Sequence, residues 1–306
     1  MCVLEPYAIV HLEPEWVRAD ETMGSKDKSW FLLPDRQERW LFKYARVNQN
    51  VCTGEDWAEK IAAEIAELLS VPHCLVELAK FEGRRGSLSR RFPELLQPGV
   101  ELIHGNDLLA GLVLGYEREK RFHQSNHTLE NILAAVARAI PDEKERYDAM
   151  TTLAGYVVLD ALILNTDRHH ENWALLRETR PSGILRHRVA PSFDHASSLG
   201  RELLAEKLEK WEKEDWRVGW YAKRAPGGIY LKEDQGQGEN PIRLAEVALR
   251  WRPQHVAPWL EKLRGLNLAQ LSDIVHRVPQ AVMPRQSQNF CVALLRFTLE
   301  HLQNLK

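Results

Sequence analysis

The chain has 306 residues, 44% apolar and 27% charged, with a formal net charge of −2. That length supports one large domain or two lobes around a cleft, and the near-neutral balance argues against a protein built mainly to coat nucleic acid, without excluding a local basic patch. The four cysteines (Cys2, Cys52, Cys74, Cys291) show no zinc-ligand spacing, no run approaches the ~18 apolar residues of a membrane span, and the first residues lack a leader pattern, so a cytoplasmic protein with reduced thiols is expected.

In chain order, residues 8–11 and 29–33 are β-prone and are separated by a polar turn over 21–28 that holds one glycine, Gly24. After a turn at 35–38, residues 39–47 alternate, with Trp40, Phe42 and Tyr44 on one face and Leu41 and Lys43 on the other. Residues 53–69 predict a helix with Thr53 as N-cap, Glu55 and Asp56 in the first turn, and Trp57, Ile61, Ile65 and Leu68 at helical spacing. Residues 74–78 and 86–89 read as a strand pair. From about Asn106 the chain turns mostly helical, most clearly over 128–140 and 147–164. Residues 173–176 and 184–189 predict two strands joined by the turn-rich stretch 178–183. Residues 201–218 predict a charged amphipathic helix and 225–241 a loop, with further helices beyond; there is no internal repeat. Trp211, Trp216 and Trp220 belong to no motif and read as core or lobe packing. The expected class is α+β, with a strand-rich first lobe (1–92), a helical second lobe (93–306) and a cleft between them.

The chemistry concentrates in Asn165-Thr166-Asp167-Arg168-His169-His170-Glu171-Asn172, a polar loop directly after an apolar helix. Asp167 and Asn172 stand five positions apart, as in kinase catalytic loops, where the Asp takes the acceptor proton and the Asn binds Mg²⁺. Asn172 precedes the first hairpin strand and Asp194 follows the second, so antiparallel pairing brings the two together. One carboxylate and one amide oxygen at a cleft mouth suit Mg²⁺, which takes its remaining ligands from water and phosphate. Lys43 can reach the phosphates, held by Glu59 or, as second choice, Glu64, while the turn at Gly24–Lys28 offers backbone N–H groups to an anion. Taken singly, Lys43 is a solvated strand residue, Glu59 and Glu64 are exposed helix charges, and Asp194 is a turn residue. His169 and His170 lack a third metal ligand and read as loop-structural. The order of all the parts together carries the inference.

These residues resemble the HipA-like kinase family. Its loop reads Asn-x-Asp-x-His-x-x-Asn, here Asn165, Asp167, His169 and Asn172, and its Phe/Tyr-Asp before small residues is here Phe193-Asp194-His195-Ala196-Ser197-Ser198. A similar Asp-Arg-His-x-x-Asn occurs in phosphatidylinositol kinases. The resemblance spans roughly residues 20 to 300 and implies a two-lobed protein-kinase-like fold, ATP and Mg²⁺ as cofactors, and phosphoryl transfer to a protein Ser or Thr. It implies Asp167 as base within a loop formed with Asn165 and His169, Asn172 and Asp194 as metal ligands, Lys43 as the ATP lysine and Glu59 as the helix glutamate. It further implies a phosphate loop with Gly24, Ser25 and Lys28, autophosphorylation at Thr22, Ser25 or Ser29, and an adenine hinge at Ser89, Arg90, Arg91 and Phe92. The layout matches short family members, without the extra N-terminal subdomain of the long form. The family's toxin kinases imply a protein substrate such as a translation component and a small helix-turn-helix antitoxin as partner, without direct nucleic-acid or membrane contact. The alternatives are a lipid or small-molecule kinase, disfavoured by the lack of a strongly basic amphipathic helix, and a nucleotide-binding pseudokinase, disfavoured by the full set of catalytic residue types.

Overall fold

Alternation of apolar residues builds the first half of the molecule. The computed structural model describes residues 4–21, 28–34, 36–48, 51–180, 183–214 and 216–306, so Thr22, Gly24 and Ser25 lie outside the described residues. Strands β1 (Ile9–Leu12), β2 (Val17–Glu21), β3 (Lys28–Leu32) and β4 (Arg39–Tyr44) are followed by a small hairpin, β5 (Val47–Asn48) and β6 (Val51–Cys52), and then by β7 (Val76–Phe81) and β8 (Arg84–Arg90). Six of them form one sheet in the order β1-β7-β8-β4-β3-β2. Among the described residues of this sheet, β1 pairs with β7 in parallel and the other neighbours pair antiparallel. Trp40 and Phe42 are buried on one face with Phe31 and Phe81. The edge-to-face contact of Phe31 with Phe81 (centroids 5.0 Å apart) is the geometry their quadrupoles favour. Lys43 therefore points to the other face, opposite Ser87 in the register.

Helix α1 (Glu55–Leu68) begins on Gly54, and the expected Thr53 cap is not made. The Thr53 hydroxyl has no hydrogen-bond partner, and its carbonyl accepts from Arg85. A Cβ on Gly54 would lie 2.0 Å from the Trp57 ring, so that ring selects glycine at the helix start. The apolar stripe Trp57, Ile61 and Ile65 enters the large core of the helical half, not the aromatic cluster of the sheet.

Strand β9 (Val100–His104) was not expected from the sequence. It precedes α2 (Gly105–Ala110), α3 (Leu129–Ala139) and α4 (Glu143–Ile163). Thr128 caps α3 through the Asn131 N–H. Helix α4 starts four residues before the predicted point because Asp142 caps it, accepting from the Glu145 N–H at 2.8 Å. Strands β10 (Ala174–Thr179) and β11 (Leu185–Val189) form the expected hairpin, and β9 adds to it in the order β11-β10-β9.

The charged segment predicted as one helix is two, α5 (Ala205–Trp211) and α6 (Trp216–Arg224). The break lets Trp211 and Tyr221 both reach Phe290, with ring centroids 6.0 and 5.4 Å away. On one helix, residues ten apart would be separated by about 15 Å along the axis. Trp216 and Trp220 are 54% and 41% exposed, which corrects the reading of all three tryptophans as packing residues. Residues 225–240 carry no helix, as expected, and α7 (Pro241–Trp251), α8 (Pro253–Arg264), α9 (Leu268–His276) and α10 (Arg285–Gln303) complete the chain. Among the described residues no helix is long and apolar enough to cross a membrane, and Cys52, Cys74 and Cys291 are free thiols.

Candidate active site

Helix α4 stops at Leu164, whose backbone turns left-handed (φ 52°), and the polar loop leaves from there. The loop is pinned largely by its own residues. The Asn165 amide donates to Asp160 Oδ1 (2.8 Å) and accepts from the Asp167 N–H (3.1 Å). The Asp167 carbonyl accepts from the His169 N–H (2.8 Å) and from Asn172 Nδ2 (2.7 Å). His169 Nδ1 accepts from the Glu171 N–H (3.1 Å), and burial lowers the pKa of this ring to about 4, so it stays neutral. Thr166 bonds the Ser197 carbonyl through both its N–H and its hydroxyl, tying the loop to the segment after Asp194. From behind, Gly228 approaches so closely that a Cβ there would lie 2.6 Å from the Arg168 carbonyl carbon.

The hairpin brings its two open ends together. The register runs from Leu175↔Val189 to Thr179↔Leu185, and the Ala190 N–H donates to the Ala174 carbonyl. The two ends are then joined by one side chain. Arg168 Nη1 donates to the Asn172 carbonyl (2.7 Å) and to the Phe193 carbonyl (3.4 Å). The same guanidinium makes a two-pronged pair with Asp160, Nε to Oδ2 and Nη2 to Oδ1, both at 2.7 Å, and Nη2 also reaches Ser192 Oγ at 3.0 Å. Asp194 follows in left-handed backbone (φ 58°), which Asp and Asn adopt more readily than most residues.

Lys43 meets this end of the hairpin from the sheet, its Nζ 3.0 Å from Asp194 Oδ2. Burial works against the Lys43 charge, but Asp194 and Glu59 outweigh it, and the pKa lies above the ordinary lysine value. The expected Lys43–Glu59 ion pair is not the contact formed. Glu59 Oε1 instead lies 3.4 Å from His195 Nδ1. Burial pushes the Glu59 carboxyl upward, yet His195 and Lys43 overcome this and hold it below the usual carboxylate range despite the opposing Asp194. The second choice, Glu64, is engaged elsewhere, with Lys60 at 2.7 Å.

Several other expectations are refined. Asn165 and His169 hold the loop with their side chains. Lys28 starts β3, in register with Lys43. Ser29 is buried in β3 opposite Phe42, which corrects its reading as a phosphorylation site. In the expected hinge, Ser89 pairs with both Leu41 and Val76 within the sheet. The Arg90 N–H donates to the Leu75 carbonyl and the Arg91 N–H to the Arg39 carbonyl. Neither N–H is therefore available to an adenine, which corrects that part of the hinge. Phe92 is buried with its ring 5.8 Å from Phe193, beside Asp194.

Sequence reasoning missed Asp160, Ser192 and His195, and the extent to which Arg168 organises the loop. One signal was present: Asp160 interrupts the apolar run from Tyr156 to Leu164, and a lone carboxylate in a buried helix needs a cation.

The donor set fits a magnesium nucleotide. Asn172 is buried and its Nδ2 is committed to the Asp167 carbonyl, so Oδ1 is the atom it would offer a metal. Among the described residues no cluster of three or more His, Cys, Asp or Glu can hold a metal by itself. Mg²⁺ needs no such cluster, since one or two protein oxygens, water and phosphates complete its shell.

The family described as HipA-like C-terminal domain matches residues 17–240. No protein of curated function matches the chain in sequence. Among solved structures, the Helicobacter pylori proinflammatory kinase CtkA is similar over 90% of this chain and 92% of its own, with TM-score 0.71 and 16% identity. The fold is therefore the two-lobed kinase-like one. A chain of the Shewanella oneidensis MR-1 toxin–antitoxin complex of HipA, HipB and operator DNA aligns over 96% of this chain and 69% of its own, with TM-score 0.43 and 14% identity.

Proposed function

The chain belongs to the HipA-like C-terminal domain family, and from that premise we propose that it is an ATP- and Mg²⁺-dependent kinase that transfers the γ-phosphate to a serine or threonine of a protein. The observation that carries this reading is the meeting of Lys43 with Asp194 at 3.0 Å, at the hairpin end that Arg168 closes by bonding the Asn172 and Phe193 carbonyls. A strand lysine, a carboxylate and an amide oxygen in one place are the parts that position a triphosphate.

Asn172 Oδ1 and the Asp194 carboxylate would hold Mg²⁺, which when bound neutralises charge on the transferring phosphoryl group. Lys43 would take the phosphate oxygens nearer the nucleoside. Asp167, its backbone fixed by Asn165, His169 and Asn172, accepts the proton of the attacking hydroxyl. Family membership supports a protein substrate and a small helix-turn-helix antitoxin as partner, with Thr22 and Ser25 as the remaining candidates for autophosphorylation.

The test is incubation with γ-labelled ATP and Mg²⁺, with protein and phosphoinositide acceptors offered in parallel. Label on protein, lost in Asp167→Asn with folding retained, is expected. Label confined to lipid would replace the reading with a lipid kinase, and nucleotide binding without transfer would replace it with a pseudokinase.

A further inference from the structure

Five polar side chains form a continuous line from α1 to α4, passing directly behind the end of the hairpin. Glu59 Oε1 lies 3.4 Å from His195 Nδ1, and His195 Nε2 lies 2.7 Å from Ser192 Oγ. Ser192 Oγ accepts from Arg168 Nη2 at 3.0 Å, and Arg168 is paired with Asp160. All five are buried, between 1% and 4% exposed. So many polar groups withdrawn from water are costly unless they are mutually satisfied. Among the described residues Glu59 Oε2 and His195 Nδ1 have no hydrogen-bond partner, and they belong to the two residues that face each other.

The charged ends of the line favour one direction for its protons. Arginine only donates, so Ser192 accepts from it. The Glu59 carboxylate facing Nδ1 favours the imidazole hydrogen there, and in that tautomer Nε2 accepts the Ser192 hydroxyl hydrogen. The Glu–His–Ser order has the look of a nucleophile with its base, but Ser192 is 1% exposed and flanked by Arg168 and His195, so no substrate reaches it.

We propose that His195 and Ser192 are positioning residues through which Glu59 of α1 sets the geometry of the catalytic loop and of Asp194, in place of a direct grip of Glu59 on Lys43. His195 follows Asp194 in the chain, so its anchorage to Glu59 fixes the left-handed turn from which the Asp194 carboxylate projects. Arg168, the fourth member counted from Glu59, holds the carbonyls of Asn172 and Phe193. Both oxygen donors are therefore oriented by one line of polar contacts, hydrogen-bonded from His195 to Asp160 and joined to α1 by the 3.4 Å contact of His195 with Glu59. The inference rests on the kinase reading above, and its test separates the two.

The experiment is a double-mutant cycle on the full chain with Glu59→Gln, His195→Ala and Ser192→Ala, and with His195→Asn, which keeps a donor toward Glu59. Steady-state transfer from ATP-Mg²⁺ and thermal melting are both recorded. Each alanine or glutamine variant is expected to lower kcat about 10- to 100-fold, as for other residues that orient metal ligands. KM for ATP should change little, His195→Asn should recover most of the loss, and Glu59→Gln/His195→Ala should be no worse than the poorer single variant. A raised KM for ATP in Glu59→Gln that His195→Ala does not share would return Glu59 to the lysine and overturn the inference, as would multiplicative losses. If the wild-type chain transfers no phosphate, the kinase reading fails by itself. The melting shifts then decide the line of bonds: coincident shifts for the single and double variants support it, and additive shifts overturn it.

Discussion

Lys43 Nζ stands 3.0 Å from Asp194 Oδ2, an ion pair that joins the sheet to the end of the hairpin. Each member is suited to a different part of a magnesium nucleotide, the ammonium to phosphate oxygens and the carboxylate to the metal. In the proposed reading their contact marks where the triphosphate would enter.

Lys43→Met and Asp194→Asn should each cut phosphoryl transfer by about 10²–10³-fold, the loss seen when one preorganised electrostatic contact is removed. Asp194→Asn should stay folded, because Asn tolerates the φ of 58°. Asp194→Val should also melt lower, since a β-branched residue is strained there. Transfer assays paired with circular dichroism melts check both parts, and an active Asp194→Asn would remove Asp194 from the site.

Arg168 offers a second test. Arg168→Met leaves Asp160 as an uncompensated buried carboxylate and should cost about 3–5 kcal/mol in denaturant unfolding. Asp160→Leu/Arg168→Met should regain much of that stability, because an apolar pair replaces an ionic one. Activity should not return with it, since the Asn172 and Phe193 carbonyls stay unanchored. Recovery of transfer in the double variant would show that the guanidinium is not needed to hold the hairpin ends.

Gly228→Ala should damage the 165–172 loop from outside it. The added Cβ would meet the Arg168 carbonyl carbon and oxygen at 2.6 and 2.8 Å and the His169 nitrogen at 2.8 Å, all backbone atoms. A stability loss of about 1–3 kcal/mol is expected for such overpacking, together with a fall in kcat. Unfolding curves and transfer assays on the same preparation test the pairing of the two effects.

Acid should weaken the fold through His127. This ring is fully buried, donates from Nδ1 to the Gly228 carbonyl (2.8 Å) and accepts the Trp173 indole N–H at Nε2 (3.0 Å). Burial lowers its pKa to about 3. The unfolded chain takes up this proton near the ordinary 6.5 and the folded chain does not, so the contribution is present above pH 6.5 and lost as pH falls toward 3. The slope is about 1.4 kcal/mol per pH unit. Asp56, raised to about 6 by burial against the pull of Arg85, acts in the opposite sense between 3.8 and 6, while His169, lowered to about 4 by burial, adds to the effect of His127. His127→Gln should flatten the decline between pH 6 and 4.5 in denaturant titrations, and parallel slopes for variant and wild type would contradict the assignment.

Much of this arrangement could be read from local sequence. The turn chemistry over 178–183 defines the hairpin, and the hairpin brings Asn172 and Asp194 to the same end. The alternation of 39–44 puts Lys43 on the face opposite the aromatic core. The strand β9 could not be read this way, because five residues become a strand only through pairing with β10. Nor could the partner of Glu59, since the choice between Lys43 and His195 depends on how α1 packs. Arg168 looked like one polar residue among several because its partners are mostly carbonyls and a carboxylate from the preceding helix, which no spacing rule connects.

Helix α1 has a consequence for motion. Its start is tied to the segment after Asp194, with the Gly54 N–H on the Arg201 carbonyl and Glu55 Oε1 on Arg201 Nη1 at 2.8 Å. Its end is held by Lys262 of α8, which donates to the Leu69 carbonyl at 3.0 Å. Its flank is fastened to the sheet as well, with Arg85 of β8 at 3.2 Å from Asp56 and Lys60 donating to the Val76 carbonyl of β7 at 2.8 Å. Bonded to both bodies, α1 acts as a rivet between them, so the sheet that carries Lys43 and the hairpin end that carries Asp194 keep their spacing with little play.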